Sequence, residues 1–517
     1  MILKILPALM GLRTAGGLPL LAGGFVRDRL LGIDSKDIDV EVYGLSRDDV
    51  VRALSRYGKP QLVGESFGVI KMRIDGDEFD FSLPRREVKS GKGHRGFDVE
   101  FDPWMQPRDA CSRRDFTFNS MLMDPFKGET MDFFGGEGDL KNGVIRHVSD
   151  EHFGEDPLRA LRAFQFAGRF DMELDRGTAL LICRMVANGE MNDLPAERIW
   201  AEWEKWALKS KKPSAGLLVL KETAMLRMFP ELQALDGLEQ DPDHHPEGDA
   251  FQHTLHAVDA ANWIALREEL NDEERLVLML AAVCHDFGKA TTTKRQDGKL
   301  ITHGHDKAGV APAQAFLERM LAPKWVVEHV LPLVRNHMVF RFRSDFKPRT
   351  YRRLAVKMKP SSLAMLALLM EADGAARPPK PMEDPFPELL DMASQLDVVE
   401  KAPEPLLKGR HLLQLGMKAG PMMGKLIRKS FEAQLDGAFD DEEGAVAWAN
   451  DFINFKFDAN GGLIIDKTPF FPGVAPGEFG NPTTCSDCGD PSTALRAVSS
   501  DRVLCPRCLI KFKDGRK

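Results

Sequence analysis

The stretch LAGGFVRDRLLGIDSKDID, residues 21–39, constrains this chain more than any other. A Gly-Gly turn lets backbone amides approach a phosphate, because no side chain stands in the way. Arg27 follows it and supplies a cation to a phosphate gathered there. Asp37 and Asp39 flank Ile38, and Val40, Val42 and Tyr43 come next. That alternation predicts a strand with both carboxylates on one face. Two carboxylates side by side on a rigid strand suit a pair of Mg²⁺ ions during phosphoryl or nucleotidyl transfer. A surface strand with solvated acids is the plainer alternative, so the rest of the chain must decide.

A chain of 517 residues predicts three or more domains, and 43% hydrophobic residues suffice for real cores. The net charge of −8 excludes a globally basic nucleic-acid binder, so such a partner must be held by local basic patches. The opening MILKILPALMGLRTAGG has a short apolar run, little positive charge and no convincing cleavage site, and is not read as a signal peptide. No apolar run reaches about 18 residues, so no membrane span is expected. Seven cysteines are too few for a disulfide scaffold and suit a reducing cytoplasm.

Beyond Asp39, SRDDVVRALSRYG predicts a helix that Ser46 caps together with Asp49. QLVGESFGVIKMRIDGDEFDFSL reads as two strands around a turn at Asp75-Gly76. Asp80 on the return strand is either a third carboxylate near the pair or a solvent-facing residue. RREVKSGKGHRGF is basic, Gly-rich and unpatterned, and reads as a loop able to meet polyphosphate or nucleic acid. In SRRDFTFNSMLMD, Arg113 and Arg114 either grip phosphates or form a structural ion pair with Asp115.

The motifs GGFVRD…DID, RRDFTFNSM, DFFGGEGDLKNGVIRHV, EDPLRALRAFQFAGRF and ERIWAEWEKW follow one another over residues 21–206. In that order they resemble the bacterial tRNA nucleotidyltransferases of class II, the CCA-adding enzymes, with bacterial poly(A) polymerases as close relatives. The resemblance covers roughly residues 1–455. It implies that Asp37 and Asp39 hold Mg²⁺ as the catalytic carboxylates, and that Gly24, Arg27 and Arg114 bind the nucleotide. It implies that Asp132, Gly135, Gly136 and Asp139, and later Glu197 and Arg198, join head to neck. Glu155, Asp156 and Arg159 match the motif that reads the incoming base, with Arg162 one turn on. A carboxylate accepts from an exocyclic amine and a guanidinium donates to a ring nitrogen or carbonyl, so Asp156 and Arg159 can imitate a pairing edge for C and A. An ordinary i,i+3 ion pair is the alternative. One position departs: Gln165 stands where the family usually has an Arg on the nucleotide. The partners implied are tRNA, CTP and ATP. The reaction implied is attack of a 3′-hydroxyl on an α-phosphate with loss of pyrophosphate.

From residue 155 to about 235, apolar residues recur at helical spacing. Trp200, Trp203 and Trp206 repeat every three residues, a stripe read as core rather than as a base-stacking platform. GLEQDPDHHPEGDA reads as a polar loop in which His244 and His245 have no assigned role. His253 and His256 then lie on one predicted helix, and His285-Asp286 ends another. His303, His305, His337 and Asp373 follow. Imidazoles with carboxylates make a divalent-metal composition, though not the identity of the metal. The order H…HD…D resembles the HD phosphohydrolase superfamily. It implies a metal site of His253, His285, Asp286 and Asp373 and hydrolysis of phosphomonoesters or 2′,3′-cyclic phosphodiesters. His303, His305 and His337 can support a second metal or grip substrate. A decayed domain kept for packing is the alternative.

RFRSDFKPRTYRRLAVKMK and KAPEPLLKGRHLLQLGMKAGPMMGKLIRKS are the basic runs of an acidic chain. They are either phosphate-backbone contacts or solvated helix faces. The second resembles the arm with which CCA-adding relatives meet tRNA. A Gly/Pro-rich linker follows, and then Cys485, Cys488, Cys505 and Cys508. Two CxxC pairs at this spacing predict a closed, structural Zn²⁺ ribbon.

The chain is therefore expected to be α+β. A small mixed-sheet nucleotidyltransferase head occupies 1–150, an all-α neck 151–245 and an HD domain 246–380. A helical tRNA-binding arm is expected at 381–460, a linker at 461–482 and a zinc ribbon at 483–517. The function expected is CCA addition to tRNA with an attached phosphohydrolase. An A-adding, CC-adding or poly(A)-polymerizing variant competes with it, as does an HD hydrolase whose head has decayed into an RNA-binding module. Oligomeric state is not legible.

Overall fold

Strand alternation decides how the head is layered. Ile38, Val40 and Val42 are buried in the main core, whereas Asp37 and Asp39 stand on the opposite face of the same chain segment. The computed structural model describes residues 2–35, 37–63, 68–89, 97–340, 346–380, 386–456, 496–499 and 502–504. The strand Asp39–Tyr43 runs centrally in a seven-stranded sheet. The spatial order is Gln61–Val63, Val69–Ile74, Asp77–Ser82, Asp39–Tyr43, Leu18–Ala22, Leu122–Met123 and Thr130–Met131. Asp39–Tyr43 pairs antiparallel with Leu18–Ala22 and parallel with Asp77–Ser82, so the sheet is mixed. Helix Arg47–Leu54 starts at the expected cap, with the Ser46 side chain accepting from the Asp49 amide.

Helices Leu158–Phe170, Ala196–Lys209 and Pro213–Glu222 fill the stretch expected to be the neck. Trp203 and Trp206 are fully buried and Trp200 nearly so, as a core stripe should be. Helices Ala250–Arg267, Asp272–Cys284, Lys324–Asn336 and Leu363–Ala375 continue the same core. Asp272–Cys284 is buried without a break from Leu276 to Cys284, the mark of a helix enclosed on all sides. One hydrophobic cluster runs from Ile5 to Val398.

The chain divides into two compact units, Met1–Pro403 and Glu404–Lys517. In the second, helices Gly409–Gln414, Pro421–Leu435 and Glu442–Lys456 close on their own core of Leu407, Leu412, Leu426, Ala445 and Ala449. Helix Phe386–Gln395, placed with the arm by the 381–460 reading, belongs to the first unit. Ala393 and Val398 are buried in the main cluster, and the Val399 carbonyl accepts from the amides of Leu363 and Ala364. The linker and the four ribbon cysteines lie outside the described residues, as do Arg341, Arg343 and Asp345 of the first basic run. Within 483–517 the described residues form one antiparallel pair, Arg496–Ser499 with Arg502–Leu504. Among the described residues, no helix is long and apolar enough to cross a membrane.

Candidate active sites

The head site begins at the Gly-Gly turn. Gly23 sits at φ 64°, a left-handed conformation that disfavours a side chain. A Cβ there would also come within 2.9 Å of an Arg114 guanidinium nitrogen. Gly24 opens the helix Gly24–Leu30, which carries Arg27. Arg27 is 4% exposed. It pairs with Asp28, donates to the Asn119 side-chain oxygen at 2.6 Å and lies over the Phe170 ring at 4.9 Å. Burial lowers its affinity for a proton, and the Asp28 carboxylate opposes this.

Across the sheet, Asp39 stands in register with Asp80 on the adjacent parallel strand. Asp80 is thus beside the pair, the first of the two readings left open. Glu41, two residues along the same face, accepts from Arg114 at 3.0 Å and from the Tyr43 hydroxyl at 2.8 Å. Arg114 also donates to the Asn119 carbonyl at 3.2 Å. Burial alone would lower the Arg114 pKa, but Glu41 beside it holds it above the ordinary value. At Asp39, partial burial first and then Asp80, Asp37 and Glu41 raise the carboxyl, with Arg114 opposing. An acidic face that resists its own ionisation is primed to accept cations.

Asn119 is a hub that the sequence did not single out. Its two oxygens receive Arg27 and Arg114, and its amide donates to Asp115 at 3.1 Å. Asp115 in turn pairs with Arg162 at 3.0 Å. Three of the candidate nucleotide cations are therefore fixed by one short segment, RRDFTFN. Asp132 accepts from the amides of Gly136 and Glu137 at 2.9 Å each, fixing the GGEGD turn.

In the neck, Asp156 reaches the next motif. It takes both terminal nitrogens of Arg198, at 2.7 and 3.2 Å. Arg159 is largely buried and donates to the carbonyls of His152 at 2.5 Å and Arg113 at 2.7 Å. Gln165 is 2% exposed, and its amide nitrogen has no hydrogen-bond partner. The position where the family has a charge is thus a core position here.

The second site lies in the HD helices. His253 Nε2, His285 Nε2, Asp286 and Asp373 converge: His253 is 3.1 Å from Asp373 and 3.3 Å from His285, and His285 is 3.2 Å from Asp286. Donor atoms about 3 Å apart fit one edge of an octahedron with metal bonds of ~2.1 Å. His305 and His337 form a second set, 3.1 Å apart at Nε2, with His305 3.4 Å from the other Asp286 oxygen. Asp286 thus faces two imidazole pairs. Backbone carbonyls accept from Nδ1 of His285, His305 and His337, aiming each Nε2 inward. His303 is exposed and His256 only half-buried, and neither joins a cluster. The residues of these two sets are buried, and His245, Glu247 and His253 form a third, partly buried group; imidazoles with carboxylates suit a divalent metal, whose identity they leave open.

Burial pushes the His337 imidazole down to about 3, helped by the neighbouring His285 and His305. Burial would raise the Asp286 carboxyl, but His285 and Lys289 hold it well below the usual range. Lys289 lies 2.6 Å from Asp286 and donates to the Gln240 side chain at 2.6 Å. Gly288 is required between them, because a Cβ there would overlap the His305 carbonyl. Sequence reasoning missed Lys289 and also Glu247, which accepts from His253 Nδ1 at 2.7 Å and His245 Nδ1 at 2.8 Å. The run HDFGK was the available signal for the first. For the second there was only its place in a polar loop.

A head with a glycine turn and an acidic strand, joined through helices to an HD cluster, defines a two-site nucleotidyltransferase-type protein. The family described as "Poly A polymerase head domain" matches residues 20–146 and "HD domain" matches 250–372. "Probable RNA and SrmB-binding site of polymerase A" matches 171–235. The multifunctional CCA protein of Pasteurella multocida is 36% identical over 367 residues, covering 69% of this chain and 83% of that protein. Its namesake from Xanthomonas oryzae pv. oryzae is 35% identical over 426 residues, covering 81% and 98%. The chain belongs to the multifunctional CCA protein family. Among solved structures, the CCA-adding enzyme of Bacillus stearothermophilus in complex with CTP shares the fold at a TM-score of 0.60 and 20% identity. That likeness covers 87% of this chain and 97% of that one. The Thermotoga maritima CCA-adding enzyme complexed with tRNA does so at 0.53 and 20%, covering 87% and 95%.

Proposed function

We propose that this chain adds nucleotides from CTP and ATP to the 3′ end of tRNA, completing or repairing CCA, and that its HD domain is a metal-dependent phosphohydrolase. The observation that carries the first reading is the face shared by Asp39, Glu41 and Asp80 beside Arg114, in a chain of the CCA protein family. Asp37 and Asp39 would hold Mg²⁺, which supplies charge neutralisation at the triphosphate and eases loss of the 3′-hydroxyl proton. Arg114, held by Glu41 and Asn119, orients the phosphates without rearranging. Arg27 supports the turn from beneath through Asn119. Asp156 and Arg198 offer a carboxylate and a guanidinium at the site of base selection, with Arg159 bracing the backbone behind them. The 3′-hydroxyl oxygen bonds to the α-phosphorus, the α–β bridge breaks and pyrophosphate leaves.

The HD reading rests on buried imidazoles and carboxylates gathered around Asp286. His253, His285, Asp286 and Asp373 would hold a divalent metal there, which would supply a lowered water pKa for hydrolysis of a phosphate ester. The basic runs 341–359 and 401–429 would meet the tRNA backbone, and Cys485, Cys488, Cys505 and Cys508 would hold a structural Zn²⁺. The reducing cytoplasm is the compartment that suits both.

One observation favours a narrower variant: Gln165 brings no charge to the nucleotide. Purified protein incubated with tRNA lacking its terminal CCA and labelled CTP or ATP decides between them. Two C and one A added support the full activity. Incorporation of A alone identifies the A-adding or poly(A) form, and no CTP incorporation overturns the CCA reading. Asp39→Ala should abolish incorporation and leave phosphate release from a 2′,3′-cyclic nucleotide intact. If incorporation survives, the head assignment fails.

A further inference from the structure

Glu247 lies outside the two buried sets around Asp286, groups with His245 and His253 as a third, partly buried set of possible metal donors, and has a fully enclosed side chain. Its Oε1 lies 2.7 Å from His253 Nδ1 and 2.8 Å from His245 Nδ1, and its Oε2 has no partner. The two rings meet at 5.1 Å and 89° around it. A carboxylate only accepts, so both imidazoles donate to it from Nδ1. In a neutral ring, Nε2 then keeps its lone pair. That of His253 points at His285 and Asp373. His245 itself lines a cavity of about 600 Å³ between residues 239–249 and the hairpin Lys294–Ile301. The same loop sends Gln240 to Lys289, which grips Asp286. An enclosed carboxylate is costly unless it is hydrogen-bonded, and one oxygen shared by two rings fixes the orientation of both.

We propose that Glu247 is the positioning residue of the HD centre: it fixes the tautomer and ring plane of His253 so that Nε2 is the atom offered to a divalent metal, and it ties that ligand to His245 at the cavity wall. This rests on the reading of the HD cluster as a metal site. Glu247 makes no contact with the reacting atoms and acts through His253 alone.

The test is calorimetric titration of Mn²⁺ into the metal-stripped full chain, in an Asp39→Asn background that removes the head's contribution. His285→Ala identifies which binding belongs to the HD centre. Glu247→Gln keeps the shape but weakens the anionic acceptor, and should lower Mn²⁺ affinity there about 10–100-fold. Glu247→Asp, which restores the charge, should recover part of the loss. The melting temperature of each metal-free variant separates packing from positioning: a structural role moves it and leaves the affinity of the folded protein alone. Mn²⁺ affinity equal to the parent in a folded Glu247→Gln protein overturns the proposal. Should Glu247→Gln not fold, Glu247→Asp with unchanged affinity and an unchanged Co²⁺ absorption spectrum overturns it equally. If the parent and His285→Ala bind Mn²⁺ alike, the metal reading falls and takes this proposal with it.

Discussion

Asp39 concentrates the conflict on which the head is built. It shares a face with Asp37, Glu41 and Asp80, and its carboxyl is raised above the ordinary value. A raised folded-state pKa in an acid means that the folded chain binds the proton more tightly than the unfolded chain. Stability is therefore lost as pH rises through the carboxylate range, and at neutral pH the charge works against the metal-free fold. Asp39→Asn should lower nucleotidyl transfer by at least ~10³-fold while raising the melting temperature of the metal-free protein at pH 7. Calorimetry with Mg²⁺ chelated checks the second half, and a lowered melting temperature would sink the account of the acidic face. His337 runs the other way. Its imidazole is pushed down to about 3, so the neutral ring is favoured, and stability present above pH ~6.5 is lost as pH falls. His245, pushed down to about 4, adds to the loss over the same range. Glu247, held down at about 2, contributes only below pH ~4.5. Metal-free protein should lose up to ~1.4 kcal/mol per pH unit per group between pH 6.5 and 5, and His337→Asn should flatten that slope. An unchanged slope in urea titrations would show that His337 does not carry it.

At the scale of elements, the strand was legible because its period is unambiguous: Ile38, Val40 and Val42 inside, Asp37 and Asp39 outside. Glu41 obeys the same period and was overlooked because its role lies in a partner, Arg114, 73 residues away. The neck shows the limit of sequence neighbourhood. Asp156 and Arg159 are three apart on paper, but Asp156 meets Arg198 from the next motif and Arg159 turns to carbonyls. Residue types picked out the His and Asp side chains that the structure gathers around Asp286, whereas the pairing of His305 with His337 depends on how two helices cross, which no spacing records. That crossing hinges on Gly288, packed against the first turn of helix His305–Ala308. Gly288→Ala should push the helix away and separate His305 from Asp286. A loss of ~1–3 kcal/mol and weaker binding of a second Mn²⁺ are expected, with the head's transfer activity unchanged. Equal stoichiometry and stability in the variant would show that the close approach has no consequence for the site.

At the scale of the whole molecule, the described residues form three hydrophobic cores, of which a small one around Leu20, Tyr43 and Leu122 stays within the head. Of the other two, one runs through head, neck and HD helices as far as Val398. The other closes on Leu407, Leu412, Leu426, Ala445 and Ala449 within the unit that begins at Glu404. Domain boundaries drawn from sequence cut this long core into four, because each stretch has its own motif; burial does not respect those cuts, since Trp203 stacks edge-on against Phe316 from the HD region and Val398 of the expected arm joins the same cluster. Cores that share no side chains can unfold separately. A chain ending at Pro403 should therefore keep its fold, its binding of CTP and ATP, and the hydrolysis proposed for the HD cluster. It loses the second basic run, Lys408 to Lys429, and each lost phosphate contact lowers RNA affinity in a salt-dependent way. Binding of tRNA by the shortened chain should weaken by about 10-fold or more near 0.1 M salt, with a shallower slope of log affinity against log salt. Filter binding across a salt series measures both. Full tRNA affinity with the original slope would move the RNA-binding surface into the first unit, and an unfolded fragment would show that the second core supports the first.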